Sequence, residues 1–270
     1  MRLALAQLEI EPAAVSGNVS RAVAAIEDAA ATGADLVALP EIFATGYFAF
    51  DSYARTAESV AGPTLQRVRE AAVDADVAVL AGTVVEDLAA TAAETDAPVP
   101  ADEGLANTAV LFDSEGERQL LYRKQHLFGY ESAESDLLTP GERLPTATVG
   151  GVTVGVTTCY DLRFPELYRD LVDAGAEAML VPSAWPYPRV EHWKLLPRAR
   201  AVENLAYVAA VNGVAEFEDA ALVGRSAVYD PWGTAVASTD DRPDIVTATV
   251  DPERVASVRA EFPALADRRR

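Results

Sequence analysis

Two stretches of this chain are written twice. GADLVALPE at 33–41 aligns with GAEAMLVPS at 175–183, and VLFDSEG at 110–116 aligns with AVYDPWG at 227–233, in the same order. Two matches in one order, falling on the same kinds of inferred element, point to a structural repeat. The first half reads βαβαβ. It has a strand over Leu3–Leu8, a helix over Asn18–Ala31 with Val19, Val23 and Ile26 on one face, a strand ending at Glu41, a helix from about Thr64 to Asp74, and the strand DVAVLAGTV. Ala109–Phe112 and Gln119–Arg123 flank the turn DSEG and make a hairpin. The second half repeats the plan, with strands 152–158, 177–182 and 205–211, helices 165–174 and 191–203, and a hairpin around DPWG. Each half gives a sheet covered by helices on one face, and two such sheets bury their bare faces against each other. The expected fold is α/β, a four-layer αββα sandwich of two pseudo-repeated halves within a single domain, 1–270.

Charge and cysteine content bound the function. With 42 acidic against 22 basic residues and a formal net charge of −20, the chain lacks the basic face that phosphate binding needs, so no nucleic-acid partner is expected. The acids are spread throughout, lysine is nearly absent, and alanine and valine dominate the apolar set. This resembles proteins of salt-loving archaea; an acidic protein of a GC-rich genome is the other reading. One cysteine excludes an internal disulfide framework or a cysteine-rich zinc site and fits a reducing compartment. The opening MRLALAQLEI reads as a first strand and not a signal peptide, and no run is long enough to span a membrane, so a cytoplasmic protein without membrane partners is expected. Segment Glu86–Glu103 reads as an exposed, mobile insertion, either a solvated loop or a lid. The C-terminal DRRR reads as a tail or an intersubunit contact.

Three residues carry the chemical reading. Cys159 sits where the strand VTVGVTT stops and a helix opens near Pro165, a setting that lowers a thiol pKa and offers free N–H groups to an oxyanion. On spacing alone it is equally a small buried hydrophobe. His126 and His192 are the only histidines, so carboxylates must be considered as bases. Glu41 closes ADLVALPE at a strand end, where burial lifts a carboxyl towards the useful range. Lys124, one of two lysines with Lys194, ends the run QLLYRK and can set a compact charge against an oxyanion.

At these residues PEIFATGY, YRKQHLF and CYDLRFPELYR resemble the three catalytic motifs of the nitrilase superfamily of carbon–nitrogen hydrolases, in the order Glu, Lys, Cys. The similarity continues through HWKLLPRARAVEN, AAVNGV and GRSAVYDPWGTAVAS to the C-terminus, so it covers essentially the whole chain. The resemblance implies the same αββα fold. It also implies hydrolysis of a non-peptide carbon–nitrogen bond, in a small amide or carbamoyl compound, through a cysteine thioester without metal or cofactor. A homodimer or higher homo-oligomer is expected. By this resemblance Cys159 is the nucleophile, Glu41 the general base and acid, and Lys124 with the Tyr160 backbone N–H the oxyanion stabiliser. The family's second glutamate falls on Glu134, whose spacing to Pro140–Gly141 fits E-x5-P-G, whereas Glu131 needs a three-residue shift; one more acid on an acidic loop is the bland alternative for Glu134.

CYDLRFPE further resembles the ω-amidase branch. There Arg163 would meet a substrate carboxylate; a salt bridge to Glu166 or Glu203 is the structural alternative. Tyr47, Ser183 and Trp185 follow strand ends on the rim of Glu41 and are expected to line the pocket, Trp185 equally as core. Asp161 is expected to cap or position the turn, His126 to be a structural hydrogen-bonder, and His192 to lie on a helix surface or pocket wall. Transfer of the acyl group to an amine and nitrile hydrolysis remain alternatives on the same triad. A catalytically silent binding protein is disfavoured by the presence of all three residues, and a papain-like protease by the missing Asn/His pattern.

Overall fold

The computed structural model describes residues 1–130 and 132–269. Its first sheet runs in the order β12 (Asp244–Thr249), β1 (Arg2–Gln7), β2 (Leu36–Ala38), β3 (Ala78–Asp87), β4 (Leu105–Phe112), β5 (Arg118–Arg123). The second runs β11 (Ala235–Ser238), β10 (Ala227–Tyr229), β9 (Tyr207–Asn212), β8 (Ala178–Ser183), β7 (Val152–Val156), β6 (Thr146–Val149). In each sheet three central strands are parallel and the rest antiparallel. Alternating side chains sort the core into layers. Leu3, Leu5, Leu36 and Leu80 of the first sheet pack with Val152, Val154, Leu180 and Ala209 of the second, forming the layer between sheets. Ala4, Ala6, Val37 and Val79 point the other way, towards Val19 and Ile26 of α1 (Val15–Ala31) and Val68 of α3 (Pro63–Asp74). Met179, Val181 and Val208 do the same towards Leu171 of α6 (Pro165–Asp173) and Trp193 of α7 (Val190–Asn204). Three apolar interfaces between four layers make the αββα sandwich.

The repeat extends to individual hydrogen bonds. The Asp35 carboxylate accepts the Arg2 N–H at 2.6 Å and the Glu177 carboxylate accepts that of Thr153 at 2.9 Å, each tying the start of one strand to its neighbour. The DSEG and DPWG turns are built alike. Gly116 N–H bonds to the Asp113 carbonyl at 3.0 Å and Gly233 N–H to that of Asp230 at 2.8 Å, while the two aspartate side chains accept the N–H of Glu117 and Thr234. Both glycines hold left-handed backbone, φ 79° and 76°, which a Cβ would disfavour.

Two expectations change. The halves are not self-contained, because β12 comes from the C-terminal part of the chain to pair with β1, followed by α8 (Pro252–Glu261) whose Val255 reaches the layer between sheets. Segment 86–103 is not an exposed insertion. Glu86 and Asp87 complete β3, and α4 (Leu88–Glu94) follows with the Asp87 carboxylate capping the Ala90 N–H; Leu88, Thr91 and Ala97 are buried. The aromatic loop after Glu41 contains a short helix, α2 (Tyr53–Thr56), and the GYESAESDLL stretch contains another, α5 (Glu134–Leu137). Arg268, of the C-terminal basic stretch, pairs with Asp173 of α6. Among the described residues no helix is long and apolar enough to cross a membrane.

Candidate active site

The ends of β2, β4, β5, β7 and β8 converge on one buried cluster. Glu41 follows β2, and its placement depends on Gly82: β3 passes so close beneath that a Cβ there would collide with the carbonyl oxygens of Leu39 and Pro40. Thr83 seals the contact, its hydroxyl accepting the Ile42 N–H at 2.6 Å. Ile42 consequently holds φ 46°, a left-handed conformation that a β-branched residue rarely adopts and that the neighbours enforce. The fully buried Glu41 carboxylate accepts Lys124 Nζ (2.9 Å) and Asn107 Nδ2 (2.8 Å) on Oε1, and the Ala184 N–H (2.8 Å) on Oε2.

Lys124 follows β5 directly. Gly141 packs on the Arg123 carbonyl and donates its N–H to the Lys124 carbonyl at 2.9 Å, which gives the Pro–Gly spacing after Glu134 a physical reason: only glycine fits there. The ammonium contacts Glu41 Oε1 and both oxygens of Glu134, at 2.8 and 2.9 Å. Glu134, at the start of α5, also accepts the Tyr47 hydroxyl (2.9 Å), the Phe128 N–H (2.7 Å) and Asn107 Nδ2 (3.0 Å). Glu131 lies outside the described residues. Burial raises the Glu41 carboxyl above its ordinary value; Lys124 opposes this and the Glu134 charge adds to it. Burial pulls the Lys124 ammonium down, but Glu134 and Glu41 together hold it well above its ordinary value.

Cys159 follows β7 and starts a single 3₁₀ turn, Cys159–Arg163, with φ 48°. Asp161 anchors that turn, accepting the N–H groups of Thr158 and His126, the Tyr122 hydroxyl and a contact from His126 Nδ1. His126 stacks on Phe164 with centroids 3.6 Å apart, a structural position as expected. The thiol departs from expectation: burial, then the Glu41 charge, push it well above the ordinary thiol range, and Lys124 offsets this only in part. A five-residue 3₁₀ turn does not outweigh desolvation.

Beyond Cys159 opens a pocket with Tyr47, Phe48, Phe128, Tyr160 and Trp185 as aromatic walls and Arg163 and Arg189 beside them. Trp185 is pocket wall and core at once, its ring tilted against that of Trp193 with centroids 5.6 Å apart. Ser183 is buried at the end of β8 and is not among the lining residues. Its hydroxyl turns to the Val181 carbonyl, and what it offers Glu41 is backbone, its carbonyl accepting the Glu41 N–H at 3.4 Å. Arg163 stacks 5.2 Å over Trp185 with Nη2 3.1 Å from His192 Nδ1, on the exposed start of α7. Glu203 pairs with Arg200 instead, and among the described residues no ion pair joins Arg163 to Glu166 or Glu203. Sequence reasoning missed Asn107, Arg189, Phe128 and the Ala184 N–H. For Asn107 the available signal is an amide inside the apolar run LANTAVLF; for Arg189, one of few basic residues beside a WPYP turn.

The carbon–nitrogen hydrolase family matches residues 2–260. The 2-oxoglutaramate amidase of Paenarthrobacter nicotinovorans is 34% identical over 241 residues, covering 87% of this chain and 79% of that protein. Omega-amidase NIT2 of Homo sapiens is 33% identical over 279 residues, covering 99% and 95%. The crystal structure of Saccharomyces cerevisiae Nit3, described as a member of branch 10 of the nitrilase superfamily, superimposes with a TM-score of 0.87 at 32% identity, covering 100% of this chain and 97% of that one.

Proposed function

The chain belongs to the carbon–nitrogen hydrolase family, and from that premise we propose that it is an ω-amidase-like enzyme, hydrolysing the terminal amide of a small carboxylic acid to acid and ammonia. The observation that carries this reading is the buried Glu41 carboxylate, bonded to the Lys124 ammonium and near enough to the Cys159 thiol for its charge to raise it, behind a pocket that Cys159 and Arg163 line. Because the thiol is held neutral, it reacts only as Glu41 removes its proton. Sulfur attacks the amide carbon, and the carbonyl electrons move to an oxyanion met by Lys124 and the Tyr160 N–H. Collapse expels ammonia, which takes the proton from Glu41. Water, deprotonated by the same carboxylate, then cleaves the thioester and returns the thiol. Glu134 holds Lys124 in place, and Arg163 meets the substrate carboxylate through its fork of donors.

Ammonia release from a panel of ω-amides, with and without a free carboxylate, tests the reading. Turnover of acidic ω-amides is expected, an acyl adduct on Cys159 by mass spectrometry, and none of either in Cys159→Ala. Arg163→Met should raise KM at least tenfold more for acidic than for neutral amides, an estimate from the ~1.5–3 kcal/mol of a charge-assisted bond. Turnover surviving in Cys159→Ala would remove the nucleophile; equal loss on both amide kinds would remove the carboxylate reading of Arg163.

A further inference from the structure

Among the described residues, Lys124 and Asn107 are the two side chains that donate to both Glu41 and Glu134. Asn107 is buried near the start of β4 with Nδ2 2.8 Å from Glu41 Oε1 and 3.0 Å from Glu134 Oε1. The amide's orientation follows from those acceptors, since turned over it would set its oxygen against two carboxylate oxygens. Its Oδ1 has no partner among the described residues, so nothing on that side holds the amide in place.

Counting acceptor sites separates the two acids. Glu134 takes Lys124 and Asn107 on Oε1, and Lys124, the Tyr47 hydroxyl and the Phe128 N–H on Oε2, which leaves no lone pair for a proton. Glu41 takes Lys124 and Asn107 on Oε1 but one backbone N–H, from Ala184, on Oε2. We propose that Asn107 is a positioning residue: by filling Oε1 of both acids, it directs the proton leaving Cys159 to Oε2 of Glu41 and keeps the two carboxylates from sharing it. This rests on Cys159 as nucleophile and Glu41 as base. In the step the S–H bond breaks, an Oε2–H bond forms, and sulfur keeps the electron pair with which it attacks the amide carbon. Without the amide, two carboxylates beside one ammonium share the proton between their Oε1 atoms and hold it more tightly.

The test is kcat/KM against pH. Asn107→Leu, without a donor, should move the acid limb up by about one pH unit, with activity recovering at high pH and the loss carried by kcat rather than KM. Asn107→Asp, which keeps the shape but sets a third acceptor there, should move it further. A loss uniform across pH with the limb unmoved is what a merely structural residue would give, and it overturns the proposal. If Asn107→Leu does not fold, Asn107→Val carries the same expectation. The limb is also read without turnover from the rate at which iodoacetamide alkylates Cys159. If the native protein cleaves no amide but the alkylation profile still shifts in the variant, the amidase reading fails and this one stands. If amides are cleaved and neither profile moves, this one fails alone.

Discussion

Arg123 and Lys124 are neighbours in sequence, Thr108 and Asn107 are neighbours on the facing strand, and the two couples build adjacent buried charge clusters of opposite character. Arg123 holds Glu86 with a bidentate fork at 2.6 Å, spends Nη1 on the Pro98 carbonyl, and has Thr108 donating to the same carboxylate. One cation meets one anion there, and the geometry is saturated. Lys124 meets two carboxylates, Glu41 and Glu134, with Asn107 between them and a thiol alongside. That cluster is one positive charge short and has room for one proton. Alternation along β4 and β5 is what separates them, since consecutive side chains leave a strand on opposite faces. The balanced cluster can only hold structure; the unbalanced one can move a proton.

The largest effect should come from exchanging the cations' chemistry. Lys124→Arg keeps the charge but replaces a compact ammonium by a fork in a closed site, and kcat should fall on the order of 10³-fold, nearly as far as in Lys124→Ala. Steady-state kinetics with circular dichroism to check the fold decides it. An arginine variant that keeps most of kcat would erase the distinction between the two clusters.

On the other side, Arg123→Met leaves Glu86 buried and unpaired, which should cost about 3–5 kcal/mol in urea unfolding while kcat of the folded protein stays within a few-fold. Replacing both partners, Glu86→Leu with Arg123→Met, should recover most of that stability. A collapse of kcat with stability intact would show that Arg123 belongs to the chemistry after all.

The unequal visibility of these residues in the sequence has physical causes. Lys124 stands out because lysine is almost absent, and Glu41 because Pro–Glu at a strand end repeats as Pro–Ser at 182–183. The parallel strands at the centre of both sheets are legible for a related reason: buried on two faces, they read as apolar runs. Asn107 and Thr108 are not legible, because a polar pair near a strand's start looks like a strand edge until its partners are known, and those partners come from other strands. Glu86 sits at the head of an Ala, Thr and acid-rich stretch that matches an exposed surface in composition; its partners, Arg123 from β5 and Thr108 from β4, come from other strands. β12 is hidden because its partner is β1, at the other end of the chain, and the raised Cys159 thiol because burial by distant elements cannot be read from a local helix start.

Glu41 gives a smaller, pH-dependent contrast. Burial raises its carboxyl, so the acid limb of kcat/KM should lie above the ordinary glutamate range, near 4.3: as pH falls through the raised value, Glu41 gains a proton and can no longer accept the one from Cys159. Activity is therefore present above the limb and lost below it. In Arg123→Met the limb should stay where it is, since that side chain leaves the opposite strand face. A limb at or below the ordinary value would contradict the burial argument for Glu41.

The smallest expected effect separates both buried clusters from the surface. With a net charge of −20, the exposed acids repel one another. The Debye length is on the order of 30 Å at 0.01 M salt, long enough for acids across the domain to interact, and about 3 Å at 1 M. Melting temperature should thus rise by several degrees from millimolar to molar KCl, and measured activity should rise with it wherever dilute buffer leaves part of the protein unfolded. An uncharged osmolyte should rescue less, because it does not screen charge. The buried clusters exclude counterions, so the melting-temperature difference between native protein and Arg123→Met should be nearly the same at both ends of the salt series. A native melting temperature flat across the series would remove the halophile reading. A difference that vanishes in molar KCl would mean instead that the Arg123–Glu86 pair is open to solvent and that its comparison with Lys124 is misdrawn.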